Sequence, residues 1–214
     1  MDVTYYQIDI RTEVEPVLRI DGSDGVVGRC GIVGLSKDYF YSATGGLIAA
    51  GVTTDDILAL TDETFWGFGY HKVKELLNDN EFVLWNPVED SQSALNFEIK
   101  NGCQFQLDAS IEWPYTPSVS ARQIVSESQS GKIRSVKLAQ PVNINSIEFQ
   151  NMLWAEHRKF KTFIANVVEL GYQNFYFQDP VGLSKLVKCM NAELSIENDF
   201  EQVFGNSITL REIR

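Results

Sequence analysis

The sequence predicts an α+β fold: a β-rich N-terminal region followed by a C-terminal β-sandwich or split barrel with one long helix. Three observations carry this. Short stretches rich in Val, Ile, Tyr and Phe recur along the chain, punctuated by Asp-Gly, Asn-Gly and Ser-Gly turn signals. One stretch, residues 145–167, switches to helical spacing. The 214 residues are 44% apolar and 22% charged, a composition that packs one or two domains and excludes disordered and disulfide-dense classes.

The elements follow in order. Val3 to Ile10 and Val14 to Ile20 read as strands. Asp21-Gly22-Ser23-Asp24-Gly25 reads as a turn that pairs the preceding run with Val26 to Leu35 in a hairpin. Tyr39 to Gly51, with its small residues, is expected to be a loop. Thr53-Thr54-Asp55-Asp56 ahead of Ile57, Leu58 and Leu60 has the oxygen and acid pattern of a helix start, and Tyr70 to Asn78 reads as a second short helix. Strands follow at Glu81 to Trp85, Ala94 to Lys100 and Cys103 to Trp113, the last two flanking an Asn101-Gly102 turn.

Trp113-Pro114-Tyr115-Thr116-Pro117 is the expected boundary, because two prolines stiffen the backbone where the charge changes character. This divides the chain into an acidic accessory domain (1–112), a linker (113–117) and a second domain (118–214). Beyond the linker, Val119 to Glu127 and Lys132 to Ala139 form a hairpin around Ser128-Gln129-Ser130-Gly131, with Gly131 expected at positive φ. Asn145, with Glu148 three residues on, matches a capping box. Leu153, His157, Phe160, Ile164 and Val167 then fall on one helical face, and Gly171 closes the helix. Tyr172 to Gln178 is a strand ending at the turn Asp179-Pro180-Val181-Gly182, and strands at Lys185 to Met190 and Ile208 to Ile213 complete the chain.

The net charge of −11 is uneven: residues 1–112 carry seven basic and 19 acidic side chains, residues 113–214 carry 11 and 10. The lack of clustered Lys and Arg argues against a specific duplex nucleic-acid ligand. No apolar run approaches the roughly 20 residues of a membrane span, and MDVTYYQIDI has neither the basic segment nor the apolar core of a signal peptide. Cys30, Cys103 and Cys189 lie far apart without a CxxC or a Cys/His cluster, so they read as buried free thiols in a reducing compartment.

Each candidate chemistry fails on spacing. Asp21 to Gly25 lacks the alternating oxygens and distal acid of a calcium loop. Gly28, Gly31 and Gly34 do not form a dinucleotide fingerprint. His71 and His157 have no adjacent nucleophile motif, and His71 with Glu75 reads as a surface pair. Acid pairs such as Asp55/Asp56, Asp62/Glu63 and Glu89/Asp90 could supply glycosidase chemistry but read as solvated or helix-start acids. The expectation is therefore a protein that is no enzyme and holds no cofactor or metal.

The order Ser130-Gly131-Lys132-Ile133-Arg134-Ser135-Val136-Lys137, the segment Val142 to Ile147, the amphipathic helix, the run Phe175-Tyr176-Phe177-Gln178-Asp179-Pro180-Val181-Gly182 and the final Ile208-Thr209-Leu210-Arg211-Glu212-Ile213 resemble the tail-tip domain of tailed bacteriophages. Distal tail and minor tail proteins share that domain, and the likeness covers about residues 115–214. It implies a structural ring, usually hexameric, connecting the tail tube to the hub or fibres. The implied partners are further copies of the chain, a tail tube protein, and hub or fibre proteins, with no specific nucleic-acid binding and no membrane insertion. The implied location is the virion tail tip, assembled in the host cytoplasm. Interface candidates are Gly131, Lys132, Arg134, Trp154, Phe160, Tyr176, Asp179 and Pro180. Two other readings compete: a receptor- or glycan-binding module, favoured if aromatics near Trp66 and Trp85 are exposed, and a cell-wall hydrolase using one of the acid pairs.

Overall fold

The computed structural model describes residues 5–28, 38–65, 67–88, 91–111, 118–120, 123–127, 133–137, 142–178, 182–193 and 204–213. In chain order its strands are β1 (Tyr5–Thr12), β2 (Leu18–Val27), β3 (Tyr39–Ser42), β4 (Ile57–Leu60), β5 (Gly69–Asn78), β6 (Glu81–Leu84), β7 (Gln92–Lys100), β8 (Gln104–Ile111), β9 (Ser118–Ser120), β10 (Gln123–Glu127), β11 (Ile133–Lys137) and β12 (Val142–Met152). The helix α1 (Trp154–Thr162) continues through a wider π-type turn, Phe163–Val167, and a tight turn, Glu169–Gly171. The strands β13 (Asn174–Gln178), β14 (Ser184–Glu193) and β15 (Phe204–Glu212) follow. The protein is strand-rich with one short helix, an α+β fold in broad terms.

Two closed sheets organise it. Strands β1, β8, β12, β15, β14 and β13 form a ring that closes through the β12–β15 pairing, with β9 added beside β12. Strands β2, β3, β6, β5, β4 and β7 form a second closed barrel. The second barrel is inserted between two neighbouring strands of the first, because β1 and β8 pair along Tyr5↔Ser110 to Arg11↔Gln104. The sheets therefore do not divide at residues 113–117: β1 and β8, expected in an N-terminal domain, belong with the C-terminal strands. Sequence order hides this, since a long insertion leaves the pairing of its two flanks intact.

Each barrel has its own core. In the first, Ile8, Ile10, Phe105, Leu107, Phe149, Phe175, Phe177, Val187, Ile208 and Leu210 meet Phe160, Phe163 and Ile164 from the helix side. Strand β13 alternates as its sequence dictates, Phe175 and Phe177 inward and Tyr176 half-buried. The inserted barrel packs Val27, Phe40, Leu58, Val73, Phe82, Leu95, Phe97 and Ile99. Phe40 stacks on Phe82 at 4.5 Å and meets Phe97 edge-on at 5.0 Å.

Five local expectations are corrected. Tyr39 to Gly51, expected to be a loop, opens with the strand β3 (Tyr39–Ser42), paired with β2 and β6. Asp21 to Gly25 is not a hairpin turn but part of the continuous strand β2, with register shifts between Gly22 and Gly25 and between Gly25 and Val27. Those glycines seat the Phe97 ring: a Cβ at Gly22 would lie 2.7 Å from it, and one at Gly25 2.9 Å. Residues 53–60 do not start a helix. The Asp56 carboxylate accepts the Thr53 N–H at 2.8 Å, closing a turn backwards where a helix cap would reach forwards. The following Ile57-Leu58-Ala59-Leu60 is a strand buried on both faces. Gly69–Asn78 is likewise a strand, whose bulges beside Val73 and Leu76 disturb the period of two that would have marked it. Finally, Asn145 and Glu148 lie inside β12, and the helix starts after Leu153 with no side-chain cap.

The Asn101-Gly102 turn is real but joins no hairpin. It carries the chain from the inserted barrel back to the first, since β7 pairs with β2 and β4 while β8 pairs with β1 and β12. The outgoing strand crosses beside it. Thr12 N–H donates to the Cys103 carbonyl at 2.9 Å, the Thr12 hydroxyl accepts the Cys103 N–H at 2.9 Å, and the Asn101 side-chain oxygen accepts the Val17 N–H at 2.7 Å. A Cβ on Gly102 would sit 2.5 Å from the Val14 carbonyl oxygen, so only glycine fits between the two crossings.

Candidate interaction surfaces

Two features offer surfaces: a β-ribbon that leaves the first barrel, and the seam between the barrels.

The ribbon is built by pairings that share one axis. Ile111 pairs with Phe149, Ser118 with Ile144, Ser120 with Val142, Gln123 with Lys137 and Glu127 with Ile133. Their midpoints all fall at residue 130 or 131, so the three pairings share one hairpin register, while the expected Ser128 to Gly131 turn lies outside the described residues. At its base the ribbon belongs to the barrel, where β8 also pairs with β1 and β12 with β15. Further out, among the described residues, β10 and β11 pair with nothing but each other.

The expected interface residues divide accordingly. Arg134 lies on β11, opposite Ser126. Gly131, Lys132, Asp179 and Pro180 lie outside the described residues. Phe160 is wholly buried and meets Phe149 edge-on at 5.2 Å, so it is a core residue with no face left for a partner. Its helical spacing with Ile164 was the signal. Trp154 is spent within the chain: it stacks on Phe68 of the inserted barrel at 6.0 Å, with the Arg158 guanidinium 5.9 Å from its ring. Tyr176 is half-buried beneath the Arg11 guanidinium, 4.9 Å from the ring centre.

The seam is a dense polar and aromatic contact that the sequence did not announce. The Thr162 hydroxyl accepts the Tyr70 N–H at 3.0 Å, and Asn166 donates to the Tyr70 carbonyl at 2.8 Å and accepts from Asn86 at 2.9 Å. Lys72 on β5 reaches Glu169 at 2.6 Å and Asp55 at 3.1 Å. Burial disfavours its charge, but the hydrogen bonds to Glu169 and Asp55 outweigh that and raise its pKa above the ordinary lysine value. Both acids have left-handed backbones, Asp55 at φ 76° and Glu169 at φ 53°. The Tyr70 hydroxyl meets the Cys103 thiol, and burial pushes both pKa values up, so Cys103 stays a protonated, inert thiol.

Beside these contacts the seam opens into a cleft of about 240 Å³ with walls from both barrels and α1, lined by Ile57, Phe68, Tyr70, Glu98, Lys100, Gln104 and Lys159 among others. Of the described catalytic candidates Glu63 alone lines it, and Glu89 and Asp90 lie outside the described residues. His71 is buried with Nε2 2.8 Å from the Gly67 carbonyl, while Glu75 is exposed, so they form no pair. Asp56 faces Arg19 at 3.5 Å whereas Asp55 faces Lys72. Hydrogen bonds from Thr64 hold the Asp62 pKa below the usual carboxylate range, the opposite of a general acid. Among the described residues no three His, Cys, Asp or Glu side chains gather as a metal site.

No protein-family model, curated protein or solved structure matches the chain.

Proposed function

We propose that the protein is a structural, self-assembling component of a bacteriophage tail tip, forming a ring that links the tail tube to the hub or fibres through its first barrel, a tail-hub-like domain. The observation that carries this reading is the ribbon. Among the described residues β10 and β11 pair only with each other, and a two-stranded hairpin of that kind is marginal in water and gains stability when a further strand or surface covers it. A neighbouring copy supplies that cover through strand addition, and repetition of one such contact around an axis closes a ring. The resemblance of residues 115–214 to tail-tip domains supplies the setting, the partners and the expectation of six copies.

The test is assembly. Full-length protein should run as a closed oligomer in light scattering and sedimentation. A variant in which residues 121–139 are replaced by a two-residue turn should be monomeric with an unchanged melting temperature. Monomeric full-length protein at high concentration, or an unaltered oligomer after the replacement, would refute the reading.

One observation favours a second reading, a glycan-binding role for the inserted barrel. Trp85 is 55% exposed on that barrel, with the Lys74 ammonium 5.5 Å from its ring centre, while Trp66 lies outside the described residues. An exposed indole is the kind of surface on which sugar rings stack. Loss of binding on a glycan array after Trp85→Ala would support it.

A further inference from the structure

We infer that the cleft between the two barrels binds a single neutral sugar residue. The inference extends the second reading above from the Trp85 surface to a different site, and its test separates the two.

Position comes first. Ligand sites concentrate where two structural units meet, and this cleft takes its walls from β4, β5 and β7 of the inserted barrel, from β8 of the first, and from α1. At about 240 Å³ it lies just under the range of about 300–1,000 Å³ for small-molecule sites, a space for one ring and not for a nucleotide or a peptide.

The lining then selects the ligand. Ile57 and Phe68 are nearly fully buried and, with the half-buried Tyr70, give the cleft an apolar side. Polar groups of both kinds surround it. Glu98 and Lys100 form an ion pair at 2.5 Å, and Lys159 lies 3.9 Å from Glu63. Gln104 donates its amide to both Asp9 oxygens, at 3.0 and 3.1 Å, which leaves its carbonyl oxygen to accept. Two carboxylates and two ammonium groups cancel within the lining, so the cleft has no net charge with which to hold a phosphate or a carboxylate. A pyranose ring offers the matching chemistry: one face of C–H groups for the apolar side, and hydroxyls that both donate and accept.

The experiment is saturation-transfer NMR on the full chain with glucose, galactose, rhamnose and N-acetylglucosamine in turn, and with glucuronate and glucose-6-phosphate as charged controls. The expected result is transfer to at least one neutral sugar, strongest at protons of one ring face. Gln104→Leu alters an exposed rim position and should weaken that binding about tenfold, the loss of roughly one hydrogen bond. Ala59→Phe, which fills the cleft from β4, should abolish it. Gln104→Leu decides the matter if Ala59→Phe fails to fold. Absence of transfer from every neutral sugar, preference for the charged controls, or transfer that survives Gln104→Leu would overturn the proposal. Transfer lost with Trp85→Ala but kept in the cleft variants would overturn the cleft and leave the Trp85 reading standing.

Discussion

Replacing Glu169 tests the seam most sharply, because two opposing effects meet at one residue. Its carboxylate accepts a hydrogen bond from the nearly buried Lys72 ammonium, and its backbone is left-handed at φ 53°. A hydrogen bond to a charged group contributes about 1.5–3 kcal/mol. The Glu169 side chain is 40% exposed, so solvent screening reduces this to about 1–2 kcal/mol. Glu169→Ala should therefore cost about 1–2 kcal/mol. Glu169→Gly loses the same bond but removes a left-handed strain of about 1–2 kcal/mol, partly offset by the about 0.4–1 kcal/mol of extra unfolded-state freedom that glycine brings. The glycine variant should be the more stable of the two by about 0.5–1 kcal/mol. Urea unfolding followed by tryptophan fluorescence measures both. Equal stabilities, or a less stable glycine variant, would refute the strained-clamp account. The pH dependence has a definite sign. The Lys72 pKa is raised on folding, so its contribution is complete below the unfolded value of about 10.5 and is lost as pH rises through the folded value. The stability gap between the wild type and Lys72→Met should be constant around neutrality and close at strongly alkaline pH.

Gly102→Ala places a methyl group 2.5 Å from the Val14 carbonyl oxygen and should cost about 1–3 kcal/mol, read as a lowered melting temperature. Phe160→Ala should cost about 3–5 kcal/mol by opening a cavity in the first barrel. Trp154→Ala, at the half-buried seam, should cost less and should raise the rate of proteolysis between the barrels; a larger loss for Trp154 than for Phe160 would contradict their assignment to seam and core. With 29 acidic against 18 basic residues, the protein should show no duplex-DNA binding in a fluorescence anisotropy titration at moderate salt. Micromolar, salt-sensitive binding would contradict this.

Much of the strand content was legible because its causes are local. Phe175 and Phe177 flank Tyr176 at a period of two, and the expected hairpin strands appear as Gln123–Glu127 and Ile133–Lys137 paired in register. The helix was legible from its apolar spacing, though its start was misplaced, because Asn145 and Glu148 imitate a capping box within a strand. Misreadings arose where burial came from two sides. Ile57 to Leu60 lies between the interior of its own barrel and the seam, so it shows no alternation, and Thr53 with Asp56 makes a turn from the same groups that cap helices. Composition and local pattern thus determined a strand-rich chain with one helix, an acidic first half and the pairing of β10 with β11. Only the tertiary structure decided that one barrel sits inside the other's sequence, that Trp154 and Glu169 face the seam, and that Ile57, Glu98, Gln104 and Lys159 line one cleft. The physical reason is range: these arrangements rest on pairings and contacts across tens of residues, where no periodicity or short motif records which partner a strand or side chain will meet.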